Sequence, residues 1–169
     1  MRTIGSDPAV WLRLAIEEDA EFVYRARVTG MTGCVTQLWG WDEEEQQAKF
    51  AERWATSTYE IVTLEGVDVG VVTVDRHPTE LFLGYLGILP EYQRRGLGTL
   101  VLQRLLAEGV AAGRPVGLRV LKANHRARRP YQRLGFVVVG ETETHDLMRS
   151  SGAARHEAGD GERGRTDES

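Results

Sequence analysis

Apolar and polar positions change their spacing several times along the chain, and each change predicts an element. Trp11–Ile16 (WLRLAI) reads as a first strand, and EEDAEFVYRAR opens on acids and then spaces Phe22, Val23 and Ala26 as a helix does. The following VTGMTGCVTQLWGW is broken by glycines and fits neither period. Asp42 with Glu45 three residues on has the form of a capping box, which predicts a helix through DEEEQQAKFAERW with Phe50 and Trp54 on one face. YEIVTLEGVDVGVVTVD is two β-rich runs around Glu65–Asp68, a hairpin with Gly66 in its turn, and ELFLGYLGILP is a further strand closed by Pro90. From Thr99 to Ala112 the residues Val101, Leu102, Leu105, Leu106 and Val110 form a helical stripe, stopped by Gly113 and Pro115. VGLRVLKA places Val116, Leu118 and Val120 on one strand face. Asn124 is a candidate cap for a helix running to Leu134 and ended by Gly135. Pro130 lies inside it, so that helix either bends or begins later than Asn124. FVVVGETETHDLM reads as a closing pair of strands.

The predicted order, β-α-α-β-β-β-α-β-α-β-β, is a mixed α/β fold filling one domain over residues 1–150. Residues 151–169 contain no aromatic and no large aliphatic side chain. They cannot bury enough surface to offset ordering entropy and are expected to be a disordered polar tail.

Composition narrows the class of protein. At 169 residues with 41% hydrophobic and 27% charged residues, the chain suits a soluble globular domain with a real core. No apolar run is long enough for a membrane span, and MRTIGSDPAV lacks the apolar stretch of a secretory signal. A lone Cys34 rules out an intramolecular disulfide, and His77, His125, His145 and His156 lack metal-ligand spacing, so no metal site is expected. A reducing cytoplasm fits these features.

Charge is uneven. Residues 1–90 hold 15 acids and 7 bases, whereas residues 91–150 hold 5 acids and 11 bases. The basic half suits a polyanionic ligand and the acidic half a cationic one, unless the two sets interleave in space and cancel. No dense basic run with interleaved aromatics occurs, so nucleic acid is not an expected partner.

The chemistry concentrates in ILPEYQRRGLGTL, Ile88 to Leu100. A helix N-terminus carries unpaired N–H groups and partial positive charge. Gly96 and Gly98 remove side chains where an anion would approach, and Arg94 and Arg95 add charge-assisted contacts. No Gly-Lys-Ser/Thr follows, so this is not a Walker loop, and the spacing is not that of a dinucleotide fingerprint.

This stretch resembles the pyrophosphate-binding motif of the GNAT N-acetyltransferase superfamily, Gln/Arg-x-x-Gly-x-Gly/Ala after a strand, with Gln93, Gly96 and Gly98 on the motif positions. A second signature of that family, Asn-x-x-Ala-x-x-x-Tyr-x-x-x-Gly-Phe, is matched by Asn124, Ala127, Tyr131, Gly135 and Phe136. The resemblance covers roughly residues 10–149. It implies a largely antiparallel central sheet with helices on both faces, splayed where acetyl-CoA is wedged between the strand ending at Ile88 and that at Val116–Lys122. It also implies an acetyl-CoA-dependent N-acetyltransferase with an amine acceptor and no metal. Dimers are common among its members, so a homodimer is compatible with it.

By that resemblance the cofactor contacts fall on Ile88 (through its backbone), Gln93, Arg94, Arg95, Gly96, Leu97, Gly98, Thr99, Asn124 and Tyr131. Tyr131 is also the acid that protonates the departing thiolate. Many relatives carry a carboxylate base in the strand before the motif, but LFLGYLGI has none. Glu80, just before it, is the nearest candidate, with His77 behind it. The rival reading is a non-catalytic acyl-CoA-binding module. Acceptor contacts are expected from Trp39, Trp41 and Tyr85, where aromatic rings suit a cationic amine, although core packing accounts for tryptophans equally well.

Overall fold

The computed structural model describes residues 2–3, 10–40 and 42–150. The expected tail at 151–169 lies outside them. Eight strands form one sheet in the order β1-β2-β3-β4-β5-β6-β8-β7. In chain order these are β1 (Arg2–Thr3), β2 (Val10–Leu14), α1 (Ala20–Trp39), α2 (Glu43–Thr56), β3 (Tyr59–Leu64), β4 (Val67–Arg76), β5 (Leu81–Ile88), α3 (Leu97–Ala112), β6 (Val116–Leu121), α4 (His125–Arg133), β7 (Phe136–Glu141) and β8 (His145–Ser150). Apart from the short β1, this is the predicted order. All neighbouring pairs are antiparallel except β5 with β6.

Two cores sandwich the sheet. On one face α3 and α4 cover Leu12, Val62, Val72, Leu81, Leu83, Val116, Leu118, Val120 and Met148. On the other, α1 and α2 cover Tyr59, Ile61 and Val71 with Val23, Ala26, Phe50 and Trp54. The β3–β4 turn is tight because Glu65 and Gly66 both take positive φ, 51° and 82°, the geometry that matches strand twist in a two-residue hairpin.

Three expectations need correction. The glycine-broken stretch after Arg27 is continuous helix as far as Trp39. A helical glycine costs only about 1 kcal/mol relative to alanine, which the surrounding turns absorb. Helix α3 begins at Leu97 rather than Thr99, because Gly96 turns the chain at φ 77° and buries Leu97 as its first anchor. Val110, placed in its apolar stripe by spacing, is 62% exposed.

Candidate functional site

The site is created by a failure of pairing. β5 and β6 are parallel neighbours only over Leu81–Leu83 and Val116–Leu118. Beyond that fork Gly84–Ile88 and Arg119–Leu121 no longer bond each other, and an open slot separates them. A bulge starts the divergence. Tyr85 pairs with Thr73 and Leu83 with Val74, which leaves Gly84 without a partner in β4. A Cβ at Gly84 would stand 2.7 Å from Thr73 Oγ1, so glycine is required for the bulge to close on β4. The extra residue also explains the parity of LFLGYLGI: Leu81 and Leu83 face α3, and so do Leu86 and Ile88.

At the top of the slot the Leu89 N–H bonds the Val69 carbonyl at 2.8 Å. This fixes Gly70 and Ile88 as a non-hydrogen-bonded pair. The Ile88 N–H therefore points away from β4, into the gap that β6 has left. The Ile88 carbonyl is held by Gln93, whose Nε2 donates to it at 2.8 Å. Gln93 thus pins the following loop to the strand end.

That loop makes one 3₁₀ turn at Pro90–Tyr92 and enters α3 through two left-handed residues, Arg94 at φ 63° and Gly96 at φ 77°. The guanidinium of Arg95 lies 5.2 Å from the Tyr92 ring. No side chain caps α3, so its first N–H groups, from Leu97, Gly98 and Thr99, remain available. A Cβ at Gly98 would meet nothing within 4 Å, and the same holds at Gly96. The protein itself has no packing need for Gly98, which is helical. The room above these donors fits a diphosphate, and the partial positive charge of the helix end favours one.

Across the slot α4 starts at His125 and runs through Pro130, which is exposed. The helix thus neither waits for the proline nor ends at it. Asn124 sits at the cap position, but its side chain makes no capping bond. Its carbonyl accepts from the Ala127 N–H at 3.1 Å instead. Tyr131, on the inner side of α4, meets Phe136 edge-on at 5.9 Å between ring centroids. Burial holds its phenol above the ordinary tyrosine range, so the ring stays protonated.

Glu80 does not belong to this site. It precedes β5 at the paired end, about 25 Å from Ile88 at roughly 3.3 Å per residue, and its carboxylate meets Arg149 at 3.2 Å. His77 is at the same end, its N–H bonded to the Glu80 carbonyl at 2.9 Å and its carbonyl to Arg114. Both thus stand at the paired end of β5, away from the slot. Trp41 and the side chain of Trp39 lie outside the described residues. Trp54 is packing: it stacks on Tyr59 at 5.2 Å and touches Phe50. Tyr85 faces α1 just beyond the fork. Its hydroxyl donates to the Ala26 carbonyl at 3.3 Å, its ring lies over Gly87, and Arg27 sits 4.6 Å from the ring centroid.

Sequence reasoning missed Gly84, Phe82, Arg27 and Arg119 around the fork. A lone glycine at which the apolar alternation changes parity was the available signal for the bulge.

Comparisons with known proteins agree with this geometry. Residues 16–136 match the family model described as acetyltransferase (GNAT) family. Among solved structures, the chain is similar to the PaiA N-acetyltransferase of Thermoplasma acidophilum in complex with coenzyme A, at 18% identity and a TM-score of 0.65, covering 83% of this chain and 98% of that one. It is also similar to an acetyltransferase from Thermus thermophilus, at 20% identity and 0.67, covering 83% and 96%. A third is Arabidopsis thaliana Naa50 with the bisubstrate analogue CoA-Ac-MVNAL, at 15% identity and 0.58, covering 85% and 99%. No curated protein matches the chain.

Proposed function

The chain belongs to the GNAT acetyltransferase family, and on that premise we propose that it transfers the acetyl group of acetyl-CoA directly to an amine on a small molecule or protein. The observation that carries this reading is the alignment of two unfilled features: the Ile88 N–H opening into the slot and the glycine-lined donors of α3 beside it.

In this reading the N–H groups of Leu97, Gly98 and Thr99 hold the diphosphate, with Arg94 and Arg95 at its edge. Gln93 acts indirectly, by fixing the Ile88 carbonyl. Asn124, free of a capping role, contacts the arm of the cofactor. The Ile88 N–H donates to the thioester carbonyl and stabilises the oxyanion formed when the amine attacks. Because a thioester is already activated, positioning supplies much of the acceleration. Tyr131, kept neutral by burial, gives its proton to the departing thiolate. The acceptor's own proton leaves through solvent. This fits a strand that has no acid between Leu81 and Ile88 and a Glu80 held at its far end.

The missing strand carboxylate also favours the second reading, a module that binds acyl-CoA without turnover. Incubation with acetyl-CoA and a panel of amines, following release of free thiol, separates the two. Amine-dependent thiol release supports the enzyme. Thermal stabilisation by CoA without release on any amine supports the module, and no stabilisation by CoA defeats both.

A further inference from the structure

The acceptor's charge class can be read from the face of the fork opposite α3. An arm held at the N-terminus of α3 enters the slot from the α3 face, so the acceptor must meet it from the α1 face. Four side chains stand there at the fork: Phe82 and Tyr85 from β5, Arg27 from α1, and Arg119 from β6. Arg119 immediately follows Leu118, the last β6 residue paired with β5, and is exposed. Its guanidinium lies over the Phe82 ring, 5.5 Å from the centroid.

Four other arginines on the sheet or against it reach carboxylates. Arg13 meets Asp19 and Asp68, Arg76 meets Glu60 and Glu108, Arg128 meets Asp146, and Arg149 meets Glu80. Arg119 reaches none among the described residues. Glu80, whose carboxylate stands beside Gly117 of β6, is engaged by Arg149 at the closed end. The positive field of Arg119 is felt by His145, whose imidazole burial and then Arg119 hold below its ordinary range.

We propose that Arg119 receives an oxyanion carried by the acyl acceptor, so that the acceptor is an amine bearing a carboxylate or phosphate rather than a polycation. Phe82 supports the planar guanidinium, leaving its forked N–H edge to take two oxygens. The inference rests on the acetyl-transfer reading and reverses what the acidic first half of the sequence suggested.

The test uses the full-length protein with matched acceptor pairs: amino acids against their carboxamides, and phosphoethanolamine against ethanolamine. Wild type, Arg119→Gln and Arg119→Lys are compared by kcat/KM and, with CoA bound, by calorimetric titration of the same amines. We expect the anionic member of a pair to be favoured by about 10- to 100-fold, the range of a charged hydrogen bond. Arg119→Gln should collapse that ratio toward one and Arg119→Lys restore part of it, with KM for acetyl-CoA unmoved. The two pairs separate carboxylate from phosphate. A preference for neutral or cationic amines, a ratio that survives Arg119→Gln, or no binding of any anionic member overturns the proposal. Failure of CoA itself to bind overturns the acetyl-transfer reading instead. Binding of anionic amines without turnover keeps the Arg119 site and removes the catalysis.

Discussion

The two ends of β5 differ in how their polar groups are satisfied. At the closed end β5 bonds both neighbours, His77, Glu80, Arg114 and Arg149 are tied to one another, and Arg76 binds Glu60 and Glu108. At the open end the Ile88 N–H faces a gap, α3 lacks a side-chain cap, and two glycines keep the space above it clear. One strand thus spends its first half on stability and leaves its second half for ligand. Candidate catalytic groups should be sought where the protein leaves its own bonds unmade, and Glu80 stands where they are made.

The contrast is tested most strongly at Gly98. Gly98→Leu has no atom to strike within the protein and replaces a helical glycine, so thermal unfolding without ligand should show no loss of stability and a gain of up to about 1 kcal/mol. The stabilisation by CoA should vanish; if it persists, the diphosphate is held elsewhere. Tyr131→Phe should lower kcat by about 100-fold or more at unchanged KM for acetyl-CoA. Since burial raises the phenol, the alkaline fall in wild-type kcat should come above the usual tyrosine value of about 10; a fall centred below it would remove Tyr131 as the acid.

The closed end should respond in the opposite sense. Arg76→Ala leaves Glu60, 5% exposed, without its cation and should cost about 2 kcal/mol in urea unfolding, a figure reduced for the partial exposure of Arg76. CoA binding should be unchanged. Tyr85→Phe, at the fork, removes one hydrogen bond to the Ala26 carbonyl and should cost about 1 kcal/mol. Glu80→Gln should be the mildest, with kcat altered less than twofold; a large loss would return Glu80 to the reaction and erase the distinction between the ends.

The element order, the sheet residues of β6 and the open glycines at the start of α3 were legible because each rests on local spacing. Val116, Leu118 and Val120 had to share a face, and all three are buried. The start of α3 was set at Thr99 because the apolar stripe was counted from there, whereas a left-handed glycine opened the helix two residues earlier. The capping role expected of Asn124 failed because its backbone closes the turn and its side chain is left over. Phe82 and Arg119 were invisible as a pair. They are far apart in sequence and meet only because β5 and β6 are parallel neighbours, a relation that no local pattern encodes.

The unpartnered residue Gly84 has an evolutionary consequence. Deleting it would leave Leu83 opposite Val74 and Tyr85 opposite Thr73, so every side chain would keep its face and β5 would run along β4 as an unbroken ladder. What would go is the local bend that the extra residue puts into β5 where it parts from β6. The opening of the slot is therefore a trait that a lineage can gain or lose through one inserted residue while the buried face of the strand stays the same.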